Sequence, residues 1–197
     1  VDVQIVQRDL LEGKRKAMFT KIRNDIRQYS RYGQWYESAN QELRKLFGKD
    51  AKLFAALLAA TSPCQQVKRN FRLAKIAFDT RDYPSGILPC VAGNIDRALK
   101  GQPLSGRKVR AFAQNLQGNL NVVTVDVWMY RYFGLKATDK NYTRIERLVY
   151  FLAKRYELKP AELQAILWTA IRADSGKYPT SFASGLSELK QGTFWNL

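Results

Sequence analysis

Histidine is absent from this 197-residue chain. Imidazole triads, imidazole general bases and histidine-ligated zinc are therefore excluded. Any catalysis must rest on Lys, Asp, Glu, Tyr, Ser or Cys. Lys108 follows Gly106-Arg107, and Asp126 comes eighteen residues later. A lysine amine is a nucleophile when neutral, which requires burial or nearby positive charge to lower its pKa. Arg107 and Arg110 stand close to it in the chain. A carboxylate such as Asp126 can stabilise a developing cation or move a proton. Each residue also has a plainer use: Lys108 as a phosphate contact, Asp126 as the N-cap of a following helix. Glu146, Glu157 and Glu162 lie on helical segments among Arg and Lys and read as solvated i,i+4 pairs.

The elements that must position this pair occupy residues 94–133. Asn94 to Leu99 reads as a short helix, Gly101 to Gly106 as a tight connection, and Lys108 to Leu116 as a second helix. Together they predict a helix-hairpin-helix at about 94–116. Hairpin glycines let backbone N–H groups approach a phosphate, and the second helix adds its N-terminal dipole. Ser105, Gly106, Arg107 and Arg110 are thus expected to grip nucleic-acid backbone, which fixes position and not sequence. Val122 to Val125 is a short β-branched stretch, and Asp126 to Phe133 reads as helix.

Elsewhere the periodicity is helical too. Residues 14–47 predict helix with a break at Tyr32-Gly33. Asp50 suits the N-cap of a nearly all-apolar, central helix, Lys52 to Ala60, that stops at Thr61-Ser62-Pro63. A helix from about Gln65 to Phe78 and a loop over 79–92 follow. Residues 141–156 and 160–172 predict two more helices, the first with a Thr143/Glu146 capping box. Beyond Asp174 the chain is rich in Gly, Ser and Thr and ends in Phe194-Trp195-Asn196-Leu197. Strand signals are nearly absent, so the fold class is all-α. One unit over 1–197 is expected, with two lobes flanking a cleft as the variant of it.

The formal charge of +16 arises from 33 basic against 17 acidic residues. That excess points to a polyanionic partner, nucleic acid first and an acidic membrane surface second. No apolar run is long enough to span a bilayer, and the first twenty residues lack a signal-peptide pattern. The chain begins at Val1, as expected where a start residue has been removed. Cys64 and Cys90 stand far apart, which argues for a reducing compartment and against a disulfide scaffold. Two cysteines are too few for an iron–sulfur cluster. A cytoplasmic or nucleoid-associated monomer without cofactor is expected.

The run Pro103-Leu104-Ser105-Gly106-Arg107-Lys108, followed at eighteen residues by Val125-Asp126-Val127-Trp128-Met129 and then Arg131, resembles the helix-hairpin-helix superfamily of endonuclease III and 8-oxoguanine DNA glycosylases. Its hairpin reads roughly Leu-Pro-Gly-Val-Gly-x-Lys, and a Val-Asp-x-His follows. Leu104 stands at the first hairpin glycine and Trp128 at the histidine. Leu57 to Ser62 is a weaker echo of the buried helix and wedge loop. The resemblance implies a DNA glycosylase with AP lyase activity, in which Lys108 attacks the anomeric carbon of a flipped nucleotide and Asp126 assists. It implies a duplex-wedging loop around Thr61, Ser62 and Gln65. Phe112, Trp128 and Trp168 are the aromatic candidates for a base pocket. Two alternatives remain open at this point. One is a viral-type thymine hypermodification enzyme on the same fold; the other is a non-catalytic DNA-binding module.

Overall fold

The apolar periodicity between residues 14 and 47 falters at Tyr32-Gly33, and the backbone breaks there as well. In the computed structural model, which describes residues 3–177 and Phe182, helix α1 covers Val3–Tyr29, a 3-10 turn covers Ser30–Tyr32, and α2 covers Trp35–Phe47. The first helix starts eleven residues before the expected position 14. Gly33 is needed for close approach and not for its φ: a Cβ there would meet Ser30 O at 3.2 Å and Ile166 Cδ1 at 3.4 Å. The tail Phe194-Trp195-Asn196-Leu197 lies outside the described residues.

Seven further α-helices complete the described chain: α3 Ala51–Ala60, α4 Val67–Thr80, α5 Pro89–Leu99, α6 Arg107–Leu116, α7 Val127–Tyr132, α8 Asp139–Arg155 and α9 Pro160–Asp174. The described residues contain no strand, so the all-α reading holds for them. Helix α3 is central: it packs on α2, α4, α5 and α6, and Phe54, Leu57, Leu58, Ala59 and Ala60 are almost fully buried. A helix apolar all round has to be surrounded.

Several local expectations shift. Asp50 does stand at the N-cap of α3, but it also closes a 3-10 turn over Gly48–Asp50 and makes no side-chain cap bond. The loop expected over 79–92 is cut short because α5 begins at Pro89, where the missing N–H costs a helix nothing. Helix α8 is capped by Thr138, whose Oγ1 accepts from Asn141 N; Thr143 and Glu146 lie inside the helix and form no box. A capping carboxylate is found instead at α9, where Glu162 Oε2 accepts from Lys159 N at 2.7 Å. Glu162 is therefore a helix-start residue and not a member of an i,i+4 pair.

Apolar side chains form two clusters. The first gathers around α3 and includes Tyr36, Leu43, Phe54, Phe71, Ile95, Leu104 and Leu116. The second joins Ile22 of α1 to Val123, Val125, Met129, Ile145, Leu152 and Leu167. Helix α9 serves both: Ala161 and Ala165 face the first, Leu163, Leu167 and Ala170 the second.

The stretch 119–126 brings α6 and α7 together. Asn115, fully buried, donates through Nδ2 to Asn119 O (2.9 Å) and Val122 O (3.0 Å), and its Oδ1 accepts from Thr124 Oγ1 at 2.7 Å. Val123 and Val125 insert into the second cluster. The β-branched stretch is therefore a pinned, extended connection rather than a strand, and it delivers Asp126 to a fixed place.

Candidate active site

The hairpin between α5 and α6 is held from within. Asn94, buried on α5, accepts from Ser105 N at 2.7 Å and donates to Ser105 O at 3.2 Å. Leu104, where the resemblance puts a glycine, is 3% exposed and belongs to the first cluster. It anchors the loop from below. Gly106 is the N-cap of α6 with φ +88 and ψ 132, a conformation that favours glycine, and no side chain caps the helix. Arg110 Nε donates to Leu104 O at 3.1 Å and so braces the turn.

Arg107, expected to grip nucleic-acid backbone, engages α8 in this structure. Its guanidinium donates to Thr143 Oγ1 and Glu146 Oε2, both at 2.9 Å, and lies 4.1 Å from the centre of the Tyr142 ring. Its charge is already committed to α8. Glu146 is correspondingly a cross-helix partner, not part of a solvated i,i+4 pair.

Lys108 turns the other way, into a cavity of about 160 Å³. Its walls come from five helices and the α3–α4 loop: Trp35 and Tyr36 of α2, Leu58 of α3, Phe71 of α4, Phe112 of α6, and Ala165 and Trp168 of α9, with Phe182 also lining it. Polar residues line it too: Ser62, Gln65, Asn70, Thr124, Asp126, Gln164 and Thr169. Lys108 and Asp126 thus line the same space.

Lys108 Nζ donates to Ser62 Oγ at 2.7 Å and sits 5.4 Å from the centre of the Phe112 ring, one helical turn on. Ser62 Oγ in turn donates to Ala59 O at 2.9 Å, which fixes the hydroxyl. Burial pushes the Lys108 amine below the ordinary lysine value; the negative charge of Asp126 opposes this but does not cancel it.

Asp126 plays two parts at once. Its Oδ1 accepts from Trp128 N at 3.0 Å and Met129 N at 3.1 Å, the N-cap of α7. Its Oδ2 accepts from Trp168 Nε1 at 2.9 Å. Burial pushes the carboxyl above its ordinary value, and the three donors together with Lys108 pull it back. The two shifts are complementary. Each makes it easier for the proton to sit on the carboxyl and leave the amine neutral.

The other expected site residues divide. Ser62, Gln65, Phe112 and Trp168 reach the cavity. Thr61 does not reach a surface: it is fully buried, and its Oγ1 donates to Asn70 Oδ1 at 2.7 Å, tying α3 to α4. Trp128 is not among the residues lining the cavity. Its ring instead faces Arg131 at 4.5 Å and Lys177 at 4.9 Å. Ser105, Gly106 and Arg110 are exposed on the hairpin.

Sequence reasoning missed Tyr36 and Gln164. Tyr36 Oη donates to Gln164 Oε1 at 2.8 Å, and both residues are buried. Gln164 left a trace in the sequence, as a lone amide inside the apolar run Leu163 to Leu167. Tyr36 left none. Among the described residues no cluster of His, Cys, Asp or Glu could hold a metal ion, and no helix is long and apolar enough to cross a membrane. Cys64 and Cys90 are free and exposed.

Fold and cavity together define an all-helical protein with a partly buried lysine and carboxylate facing an aromatic-walled pocket. Residues 17–175 match the family of unknown function DUF7178, and the chain belongs to that family. No curated protein and no solved structure shows significant similarity to it.

Proposed function

We propose that the chain is a DNA glycosylase with associated AP lyase activity, with Lys108 as nucleophile and Asp126 as its acid–base partner. The observation that carries this reading is that Lys108 and Asp126 share one aromatic-walled cavity, with the amine pushed toward its neutral form. The net charge of +16 and the glycine-capped hairpin support a nucleic-acid partner.

In this reading a base swings out of the duplex and enters between Phe112 and Trp168, where apolar walls replace the stack. The neutral Lys108 amine attacks C1′ of the deoxyribose as the C1′–N bond breaks. The base leaves with the bonding pair and takes up the proton that the Asp126 carboxyl carries in the neutral pair, which leaves Asp126 as the carboxylate. The amine nitrogen loses a proton, for which Asp126 is the acceptor. Ring opening at the C1′–O4′ bond gives a protonated Schiff base between Lys108 and C1′. Loss of a C2′ proton then expels the 3′ phosphate by β-elimination. Asp126 also stabilises positive charge on the sugar as the base departs.

Borohydride trapping tests the reading. Duplexes carrying an abasic site, uracil, an oxidised purine or an oxidised pyrimidine are incubated with the protein and reduced. A covalent protein–DNA band on at least one duplex is expected, and Lys108→Gln should abolish it. A band that survives in Lys108→Gln, or no band on any duplex, would overturn the proposal. Mass spectrometry of the nucleosides adds a second check: a free base agrees with glycosidic cleavage, while an altered nucleoside with the bond intact contradicts it.

A further inference from the structure

Three cations crowd one indole beside the cavity. The guanidinium of Arg131 lies 4.5 Å from the centre of the Trp128 ring, Lys177 Nζ 4.9 Å and the guanidinium of Arg172 5.9 Å. Arg172 also lies 4.4 Å from the centre of the Trp168 ring. Among the described residues none of the three forms an ion pair or a side-chain hydrogen bond. Like charges brought together repel one another, and indole faces offset this only in part. The usual remedy is a carboxylate. The carboxylate that acts on Arg172 is Asp126, yet both its oxygens already accept hydrogen bonds from α7 and Trp168.

Arg172 adds a second and independent sign. Its Nε is buried and lacks a hydrogen-bond partner, and it is the one such side-chain atom among the described residues. Buried donors are almost always paired, so an orphan marks a place where a partner is missing. A guanidinium presents its donors as a planar fork that fits the oxygens of a phosphate.

Position narrows the ligand. Trp168 lines the cavity and also packs against Arg172. An anion held at the cluster therefore lies against a residue that also lines the space holding Lys108 and Asp126. A nucleotide has this layout, with a planar base joined through its sugar to a phosphate.

We propose that Arg131, Arg172 and Lys177, assembled on Trp128, bind a backbone phosphodiester of the nucleic acid whose base occupies the cavity. The proposal rests on the nucleic-acid partner of the reading above, but not on its chemistry. The cluster is built from α7, α9 and Lys177, outside the hairpin, and supplies a second grip. Trp128 then serves as the platform for the cations rather than as a wall of the base pocket.

Salt dependence of binding tests it. Affinity of the full chain for an unmodified duplex and for the same duplex with an abasic analogue is measured from low to moderate salt. Arg131→Gln and Lys177→Gln should each weaken binding and flatten the log–log salt slope by about one. Arg172→Gln should do the same, and a thermal melt checks that it folds. Arg44→Gln, on α2 beside a different groove, should leave the slope unchanged. Unchanged slopes in Arg131→Gln and Lys177→Gln would overturn the proposal, whether or not Arg172→Gln folds. Inorganic phosphate, compared with chloride at equal ionic strength, separates the sources. Weak competition that is lost in the cluster variants agrees with a phosphodiester site, whereas tight phosphate binding without oligonucleotide binding contradicts it. Trapping by Lys108 is scored separately. Flattened slopes without trapping would uphold the cluster and refute the glycosylase; trapping with unchanged slopes would do the reverse.

Discussion

Asp126 shows how one side chain can hold a fold and serve a reaction. Two of its three hydrogen bonds cap α7 and one fixes Trp168. Asparagine caps a helix as well as aspartate does but cannot take up a proton in the same way. Asp126→Asn can keep the cap through its one amide oxygen but turns its NH2 toward the Trp168 N–H, so it should lose trapping and some stability, whereas Asp126→Ala should lose the cap as well, about 1 kcal/mol more. Equal melting temperatures for the two variants would remove the structural half of this account. Lys108 gives a prediction in pH. Its neutral form attacks, so the trapping rate should rise with pH, with a midpoint below the ordinary lysine value of 10.5. The same shift has a stability sign. The folded chain binds fewer protons at Lys108 than the unfolded chain between the lowered value and 10.5, so folding is strengthened as pH climbs through that window. Lys108→Gln should remove that rise in a urea titration series. The pair was singled out by the resemblance to the glycosylase hairpin, and the structure places both residues at one cavity. The burial that lowers the amine was not legible in the sequence, because Trp35, Tyr36 and Phe71 come from segments far away in the chain.

At the scale of elements, the hairpin is the part most fully written in the sequence. Two helices and a glycine-bounded connection were expected near 94–116, and they occur at 89–99 and 107–116. Local signals suffice for the connection, since Gly101 and Gly106 act on their own backbone, but the start of α5 at Pro89 falls inside the expected loop. What local signals do not convey is the bracing from outside. Asn94 replaces the help a first hairpin glycine would give by holding both backbone groups of Ser105. Asn94→Ala should therefore cost about 1–3 kcal/mol, the penalty for leaving buried partners unsatisfied. Gly106→Ala has open space for its Cβ but must adopt φ +88, at a cost of about 1–3 kcal/mol. Both should weaken duplex binding without abolishing trapping once substrate is saturating. A loss of trapping at saturation would mean that the hairpin places Lys108 and does more than hold DNA. The cap of α8 shows the opposite limit. Thr138 and Thr143 both precede plausible helical runs, and the start at Thr138 is marked by its Oγ1 accepting from Asn141 N, with Tyr142 Oη also donating to Val123 O at 3.4 Å.

At the scale of the molecule, the cavity exists because two apolar clusters meet without merging. The first supplies Phe71, Phe112 and Phe182, the second supplies Trp168, and Thr124 and Asp126 lie beside its Val123 and Val125. Helix α9 contributes apolar side chains to both clusters, so neither is complete without it. The one buried amide on that helix, Gln164, is bound across the seam by Tyr36. These links predict that the two clusters melt as one cooperative unit rather than as two lobes. Calorimetry should accordingly give a single transition, with the calorimetric and van't Hoff enthalpies equal. Tyr36→Phe removes the O–H and leaves the Gln164 oxygen unsatisfied, at a cost of about 1–3 kcal/mol. For a chain of this size each kcal/mol lowers Tm by about 2–4 °C. The transition should move down as a whole, because the bond spans the seam and both sides depend on α9. A split into two transitions in Tyr36→Phe would show that this hydrogen bond is itself the coupling. Two transitions in the native chain would show that the clusters fold independently, and the cavity would then be a cleft between lobes.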